Sequence, residues 1–282
     1  MSSTTLSPKR HREAGFSLIE LSILLAVIAI IAVGMLAWLT PPAIDEAERI
    51  RVTQQRLKTI QLALTSFRSN FGRLPCPAKR SLRDEDPKNG EEDCTGVNNA
   101  VDVGEGAAVT CAGRFNATRK NIGVVPARTL GLGLSVMVDG WGRRFTYHVA
   151  EDVCPMETAT GTSVNCTSST YANNNGNIEI RTTNLAGGMT EIADTTPPAG
   201  NPASGAVYVL FSHGQNGSCG WLPSGVQKPA FWNPAPSSNT PNNATVASDG
   251  EAENIDQTEG LPSIYWKDTY SQTFDDLLIY QT

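Results

Sequence analysis

The most constraining feature of the chain is an apolar run near its start. From Phe16 to Leu39 the sequence has 24 residues with a single charged side chain, Glu20. A helix of this length extends about 36 Å, and the hydrocarbon core of a bilayer is about 30 Å thick. We therefore predict that residues 16–42 form a transmembrane helix.

The charges on the two sides of this run predict its orientation. Residues 1–15 carry a local charge of +2, whereas the whole chain carries −6, so the remainder is strongly acidic. The positive-inside rule then places residues 1–15 in the cytoplasm and the rest of the chain on the other side. An acidic body without a basic stripe argues against nucleic acid as a partner.

All six cysteines follow the apolar run. An even number on one side of a membrane favours disulfides in an oxidising compartment, and the chain has no C-x-x-C pair of the kind that binds metals. The connectivity stays open, with the local pairs Cys94–Cys111 and Cys154–Cys166 as a guess. The six disulfide candidates are Cys76, Cys94, Cys111, Cys154, Cys166 and Cys219.

Glu20 needs an explanation, because a carboxylate near the centre of a bilayer costs about 2.5–3.5 kcal/mol. No basic residue lies within the run to pair with it. A cut between Gly15 and Phe16 would create an amine one helical turn away, within reach of Glu20 in the same or a neighbouring copy. A signal peptide has a shorter apolar stretch of about 7–15 residues, and a plain signal anchor gives Glu20 no role.

The stretch "GFSLIELSILLAVIAIIA" resembles the N-terminal signature of type IV prepilins and type II secretion pseudopilins. The resemblance implies that residues 1–15 are a leader, removed after Gly15 by a prepilin peptidase. Phe16 then becomes the N-methylated terminus. Glu20 is the acidic residue that pairs with the terminal amine of an adjacent subunit and sets the register of a growing filament.

The resemblance also implies a function and a location. The chain would be a structural subunit of a type II secretion pseudopilus or type IV pilus-like filament, without enzymatic activity. Its partners would be the prepilin peptidase, other pilin or pseudopilin subunits and an inner-membrane assembly platform. It would span the bacterial inner membrane once, with a periplasmic head, before joining a periplasmic or extracellular filament. A filament-tip adhesin and a signal-anchored periplasmic enzyme are the alternatives.

Residues 43–72 continue the helical pattern beyond Pro41 and Pro42, which mark either a kink or the end of the membrane segment. Apolar residues recur there at spacings of 7, 3, 4, 3 and 4, which predicts an amphipathic helix packed on the head. "NFGRLPCP" ends it. The apolar positions are Ile50, Leu57, Ile60, Leu64, Phe67 and Phe71.

Residues 73–282 are predicted to form the globular head. Residues 76–125 are polar, Gly-rich and loop-like, and short strand patterns follow in "RFTYHV", "NIEI", "GAVYVLFS" and "LLIY". We predict an α+β fold in which the long N-terminal helix, with a transmembrane first half, packs on a small antiparallel sheet with long disulfide-pinned loops. "DGWGRRFTY" also resembles the D-P-W-G-x-x-Y motif of the major pseudopilin, with Gly140 in place of proline.

Calcium is the one ion that the loops suggest, although the resemblance requires no cofactor. Residues 212–217 and 248–256 supply oxygen ligands such as Asp249, Glu251 and Asp256. The spacing differs from that of an EF-hand loop, so a hydrated acidic turn is the competing interpretation.

The histidines and the C-terminal acidic pair receive structural interpretations. The sequence has no G-x-S-x-G, H-E-x-x-H or P-loop pattern, so His148 and His213 are predicted to serve the fold. Asp275 and Asp276 are expected to flank the last strand. Trp221 and Trp232 are either an exposed interaction patch or part of the core.

Overall fold

The computed structural model describes ten parts of the chain. These are residues 18–38, 42–94, 121–150, 176, 178–183, 189–193, 205–217, 219–228, 263–267 and 277–282. The chain divides into two compact units, residues 1–47 and residues 48–282.

The N-terminal region contains two helices, α1 (Leu18–Trp38) and α2 (Pro42–Phe71). The predicted single long helix is therefore wrong. Proline suits the first turn of a helix, whose N–H groups have no intrahelical partner, but inside a helix its ring clashes with the carbonyl four residues earlier. Pro42 accordingly begins α2.

The predicted membrane span is also wrong. Among the described residues, no helix combines the length and the apolar character needed to cross a membrane. The prediction treated residues 16–42 as one continuous apolar element, whereas α1 is a helix of 21 residues with Glu20 in its first turn. The predicted location as a single-pass inner-membrane protein falls with it.

The described strands form two sheets rather than the single antiparallel sheet that was predicted. The first has the order β1-β2-β5-β7 and is antiparallel throughout; the second has the order β4-β3-β6, in which β3 and β6 are parallel. The strands are β1 (Ile122–Val124), β2 (Thr146–Val149), β3 (Ile178–Thr183), β4 (Met189–Ala193), β5 (Tyr208–Ser212), β6 (Ser263–Trp266) and β7 (Leu277–Gln281).

The core lies between α2 and the sheets. Leu57, Ile60 and Leu64 are buried in one apolar cluster with residues of both sheets, as the helical spacing indicated. The stripe does not continue to its last member, because Phe71 is 58% exposed at the end of the helix. The two central strands of the first sheet, β2 and β5, are buried at every position.

The segment before β1 closes one edge of the first sheet. The N–H of Ala78 donates to the Val124 carbonyl over 2.9 Å, and the N–H of Val124 returns a bond of 3.0 Å to the Ala78 carbonyl. Gly123 fits beneath this bridge because a Cβ there would lie 2.5 Å from the Ala78 oxygen. Part of residues 76–125, which were predicted to be loop-like, is therefore strand and sheet edge.

The opposite faces of α2 provide a direct test of this packing. Leu64→Ala should lower the free energy of unfolding by about 2–5 kcal/mol, because it leaves a cavity in the buried cluster. Leu62→Ala is the matched control, since Leu62 is 64% exposed, and should change it by less than about 0.5 kcal/mol. Urea denaturation measures both; equal losses would contradict the described orientation of α2.

Candidate functional site

Helix α1 presents apolar side chains on all sides. The ten large apolar residues among positions 18–32 are between 48% and 87% exposed in the single chain. Fully burying one such side chain contributes about 1.5–3 kcal/mol. A helix that is apolar all round needs cover from other surfaces, so α1 is the strongest candidate for an assembly element.

Glu20 is the one carboxylate on this apolar surface. It lies in the first turn of α1 and is exposed. A negative charge there is favourable, because the helix N-terminus carries a partial positive charge. Of the three residues that the resemblance identifies, Gly15 and Phe16 lie outside the described residues, and Glu20 lies where another molecule can approach it.

Three of the six cysteines are described. Cys76, Cys94 and Cys219 are disulfide-bonded, and no cysteine of the described part is free. The guessed pairs Cys94–Cys111 and Cys154–Cys166 each involve positions outside that part. Three of the six predicted disulfide cysteines are therefore disulfide-bonded in the described part of the chain.

The sulfur atoms of Cys76 and Cys94 lie within 4.8 Å of each other and of a Glu92 carboxylate oxygen. This group resembles a metal site in composition, but metals bind thiolates, which disulfide-bonded cysteines cannot supply. Glu92 is also engaged elsewhere: the Arg73 guanidinium donates two bonds of 2.8 Å to it, and the Cys76 N–H donates a third of 3.0 Å. The group anchors the segment that follows α2.

The "DGWG" turn holds α2 against the head. The Gly140 N–H donates to the Thr53 hydroxyl over 2.8 Å, and Arg56 donates to the Val138 carbonyl over 2.7 Å. A Cβ at position 140 would lie 2.2 Å from the Arg49 carbonyl oxygen. Proline, which the pseudopilin motif has here, could neither donate this bond nor fit this space, so the close approach explains Gly140.

Asp139 organises the same turn from inside. One of its carboxylate oxygens accepts the N–H groups of Trp141 and Arg143, at 2.9 and 2.8 Å, and the other accepts the Ser212 hydroxyl at 2.6 Å. Burial raises the pKa of Asp139, and these bonds together with the Arg143 charge oppose that rise. The carboxylate joins the turn to the end of β5.

The loop at residues 212–217, one half of the predicted calcium site, receives a guanidinium. Arg143 donates to the Gln215 carbonyl, and Gly217, at φ +62°, leaves the space that the Arg143 side chain fills. The other half of that site, Asp249, Glu251 and Asp256, lies outside the described residues. Within residues 212–217, the positive charge next to the Gln215 carbonyl is therefore the guanidinium of Arg143.

Arg144 was not singled out from the sequence, yet its side chain is buried. It donates to the Arg80 carbonyl over 3.0 Å and, over 2.8 Å each, to an Asp84 carboxylate oxygen and the Pro223 carbonyl. Trp221 is buried beside this group, with Arg80 over its ring, so it belongs to the core. A basic pair within an apolar strand pattern was the signal that could have indicated this network.

The two histidines outside the leader are both buried. His148 contacts the Asn121 amide and the Tyr265 hydroxyl, and His213 contacts the Thr146 hydroxyl, each over 2.8 Å. The other positions given structural interpretations, Asp275, Asp276 and Trp232, lie outside the described residues.

Comparison with known proteins gives no match. No family model, no curated protein and no solved structure matches this chain.

Replacement of Gly140 tests the fit of α2 against the turn. Gly140→Ala should lower the free energy of unfolding by about 1–3 kcal/mol, because its Cβ would meet backbone rather than a flexible side chain. Gly133→Ala is the control, since the nearest atom to its Cβ would be 3.8 Å away. Thermal and urea denaturation measure both; a stable Gly140→Ala protein would contradict the close approach.

The raised pKa of Asp139 predicts a pH dependence. An acid whose pKa is higher in the folded chain contributes stability below its unfolded value, about 3.9, and loses it as pH rises through the folded value. Wild-type stability relative to Asp139→Asn should therefore fall as pH rises from about 4 through the raised pKa. Urea titrations at a series of pH values measure this, with Glu85→Gln controlling for loss of one charge; parallel profiles for wild type and Asp139→Asn would contradict it.

Proposed function

We propose that this chain is a structural subunit of a type II secretion pseudopilus or type IV pilus-like filament, assembled through α1. In this proposal a prepilin peptidase removes residues 1–15, Phe16 is N-methylated, and Glu20 sets the register against a neighbouring subunit. The partners are the peptidase, further pilin or pseudopilin subunits and their assembly platform. The chain serves as a building element and as the substrate of the peptidase.

The single observation that carries this proposal is the exposure of α1. Its ten large apolar side chains among residues 18–32 are exposed around the helix, and one carboxylate lies in the first turn. A surface of this kind is stable in water only when it is covered. Parallel copies of the same helix provide matching cover on all sides, which a single binding partner on one face does not.

Glu20 gives such an assembly its register. Apolar packing alone permits many axial offsets between helices, because it is non-directional. One carboxylate in an otherwise apolar surface favours the offset at which it meets a positive group, and the amine of a processed Phe16 is such a group. The signature "GFSLIEL" places the cut site and the acid one helical turn apart.

The head described here supports the structural role. From Glu48 onward α2 belongs to the core of the unit that contains both sheets, held by its apolar stripe and by the bonds to the "DGWG" turn. Residues 48–71 of α2 are therefore fixed within the unit that contains both sheets. The Ser212–Asp139 hydroxyl–carboxylate pair is buried, which suits a structural link.

Replacement of Glu20 tests the assembly role. Glu20→Ala should still be processed but should enter sheared or cross-linked filaments about tenfold less than wild type, because a charge-assisted bond contributes about 1.5–3 kcal/mol. Ser22→Ala is the matched control, since Ser22 lies in the same exposed part of α1 and its hydroxyl bonds only locally, to the Ile19 carbonyl over 2.8 Å. Wild-type incorporation of Glu20→Ala would contradict the proposed register.

A further inference from the structure

We propose that His148 is a proton-sensitive link between the two sheets of the head. This inference is independent of the proposed filament role, since it concerns contacts within residues 48–282. It rests on two hydrogen bonds of the buried imidazole, which together fix the nitrogen that carries its proton.

His148 lies on β2 of the first sheet and is fully buried. Its Nδ1 is 2.8 Å from the hydroxyl of Tyr265, which lies on β6 of the second sheet. Its Nε2 is 2.8 Å from the amide nitrogen of Asn121, just before β1. The imidazole thus joins one sheet to the other.

The position of Asn121 determines which imidazole nitrogen carries the proton. The same amide nitrogen also lies 2.9 Å from the Val149 carbonyl, which can only accept. Asn121 therefore directs its NH₂ group to both neighbours, and Nε2 of His148 must accept. The proton sits on Nδ1, which donates to the Tyr265 hydroxyl.

A second proton on His148 breaks this arrangement. The new N–H at Nε2 would face the NH₂ group of Asn121, so two donors would meet. Rotating the Asn121 amide would place its oxygen against the Val149 carbonyl instead. In both cases a buried bond is lost, which costs more than the same loss in water.

Within the described part of the chain, four residues are placed against His148. In strand register they are Ile122 on β1 and Val209 on β5, and by hydrogen bond they are Asn121 and Tyr265. Tyr265 is the titratable group among these four, and its hydroxyl accepts the hydrogen bond from the Nδ1–H of His148. Acid should therefore loosen the contact between β2 and β6.

His213 provides a comparison within the same head. It is also buried, and its Nε2 lies 2.8 Å from the Thr146 hydroxyl. Thr146 lies on β2 and His213 directly follows β5, so this contact stays within the first sheet. The loosening of β6 should accordingly depend on His148 and not on His213.

The direction of the pH effect follows from proton linkage. An exposed histidine takes up a proton near pH 6.5, so the unfolded or locally opened chain binds one below that pH. Among the described contacts, binding it at His148 costs the folded chain either the Asn121–His148 bond or the Asn121–Val149 bond. The contribution of this link is therefore complete above about pH 6.5 and lost as pH falls below it.

Amide hydrogen exchange of β6 and β3 in the full chain tests the proposal. Between about pH 7.5 and about pH 5, wild-type protection should fall about tenfold or more after correction for intrinsic exchange. His148→Gln should lose this response, since its amide offers an acceptor and a donor but does not titrate, and His213→Gln should behave as wild type. Unchanged wild-type protection, or an equal fall in His148→Gln, would overturn the proposal.

A second measurement keeps the test independent of whether the variant folds. Nitrogen-15 NMR of the wild-type imidazoles at about pH 7.5 should show His148 with its proton on Nδ1. A proton on Nε2, or a doubly protonated ring in the fully folded chain at about pH 6, would overturn the assignment.

Discussion

The approach of Gly140 to the backbone of α2 is the contact on which the rest of the head depends. With no side chain at 140, the turn reaches the Arg49 carbonyl, and the Thr53 hydroxyl and Arg56 guanidinium bond to its backbone. This fixes the rotation of α2, so that Leu57, Ile60 and Leu64 face the sheets. Asp139, the residue before Gly140, accepts a hydrogen bond from Ser212 at the end of β5 and so connects the turn to that strand. One backbone contact therefore determines the orientation of the helix and ties it to a central strand.

Helices α1 and α2 differ in how far their apolar side chains are exposed to solvent. From Glu48 onward, α2 buries most of its apolar stripe in its own chain, and its outward face is polar except for Leu62 and, at the end of the helix, Phe71. Helix α1 leaves every described large apolar side chain exposed. The apolar residues of α2 are buried within a single molecule, whereas those of α1 need other surfaces to cover them. This contrast is why an assembly role is proposed for α1 and a role within the head for α2 from Glu48 onward.

Periodicity predicted well what depends on near neighbours in sequence. The apolar spacing placed Leu57, Ile60 and Leu64 on the buried face, and strand patterns indicated β2 and β5. Pro41 and Pro42 are compatible with both a kink and the start of a new helix, so the sequence does not decide between one helix and two. The parallel pairing of β3 with β6 joins segments far apart in the chain, and pattern alone carries no information about such partners. The predicted single long helix, single sheet and membrane span were each wrong.

The polar interior was the least predictable part. Charged side chains such as those of Asp139, Arg143 and Arg144 are rarely buried without specific partners, so the sequence alone gives no reason to place them inside. Their long-range partners are backbone carbonyls of distant loops, together with the Ser212 hydroxyl and the Asp84 carboxylate, and sequence does not display these contacts. Of the residues proposed for assembly, Glu20 is exposed in the first turn of α1, whereas Gly15 and Phe16 lie outside the described residues and are identified by resemblance alone.

The most direct test of the central claim is the intact mass and N-terminal analysis of the full chain from cells with and without a prepilin peptidase. The account predicts loss of residues 1–15 and a methylated Phe16 in the first case, and an unprocessed chain in the second. An N-terminus that is intact in both, or a cut beyond Leu39, would contradict it.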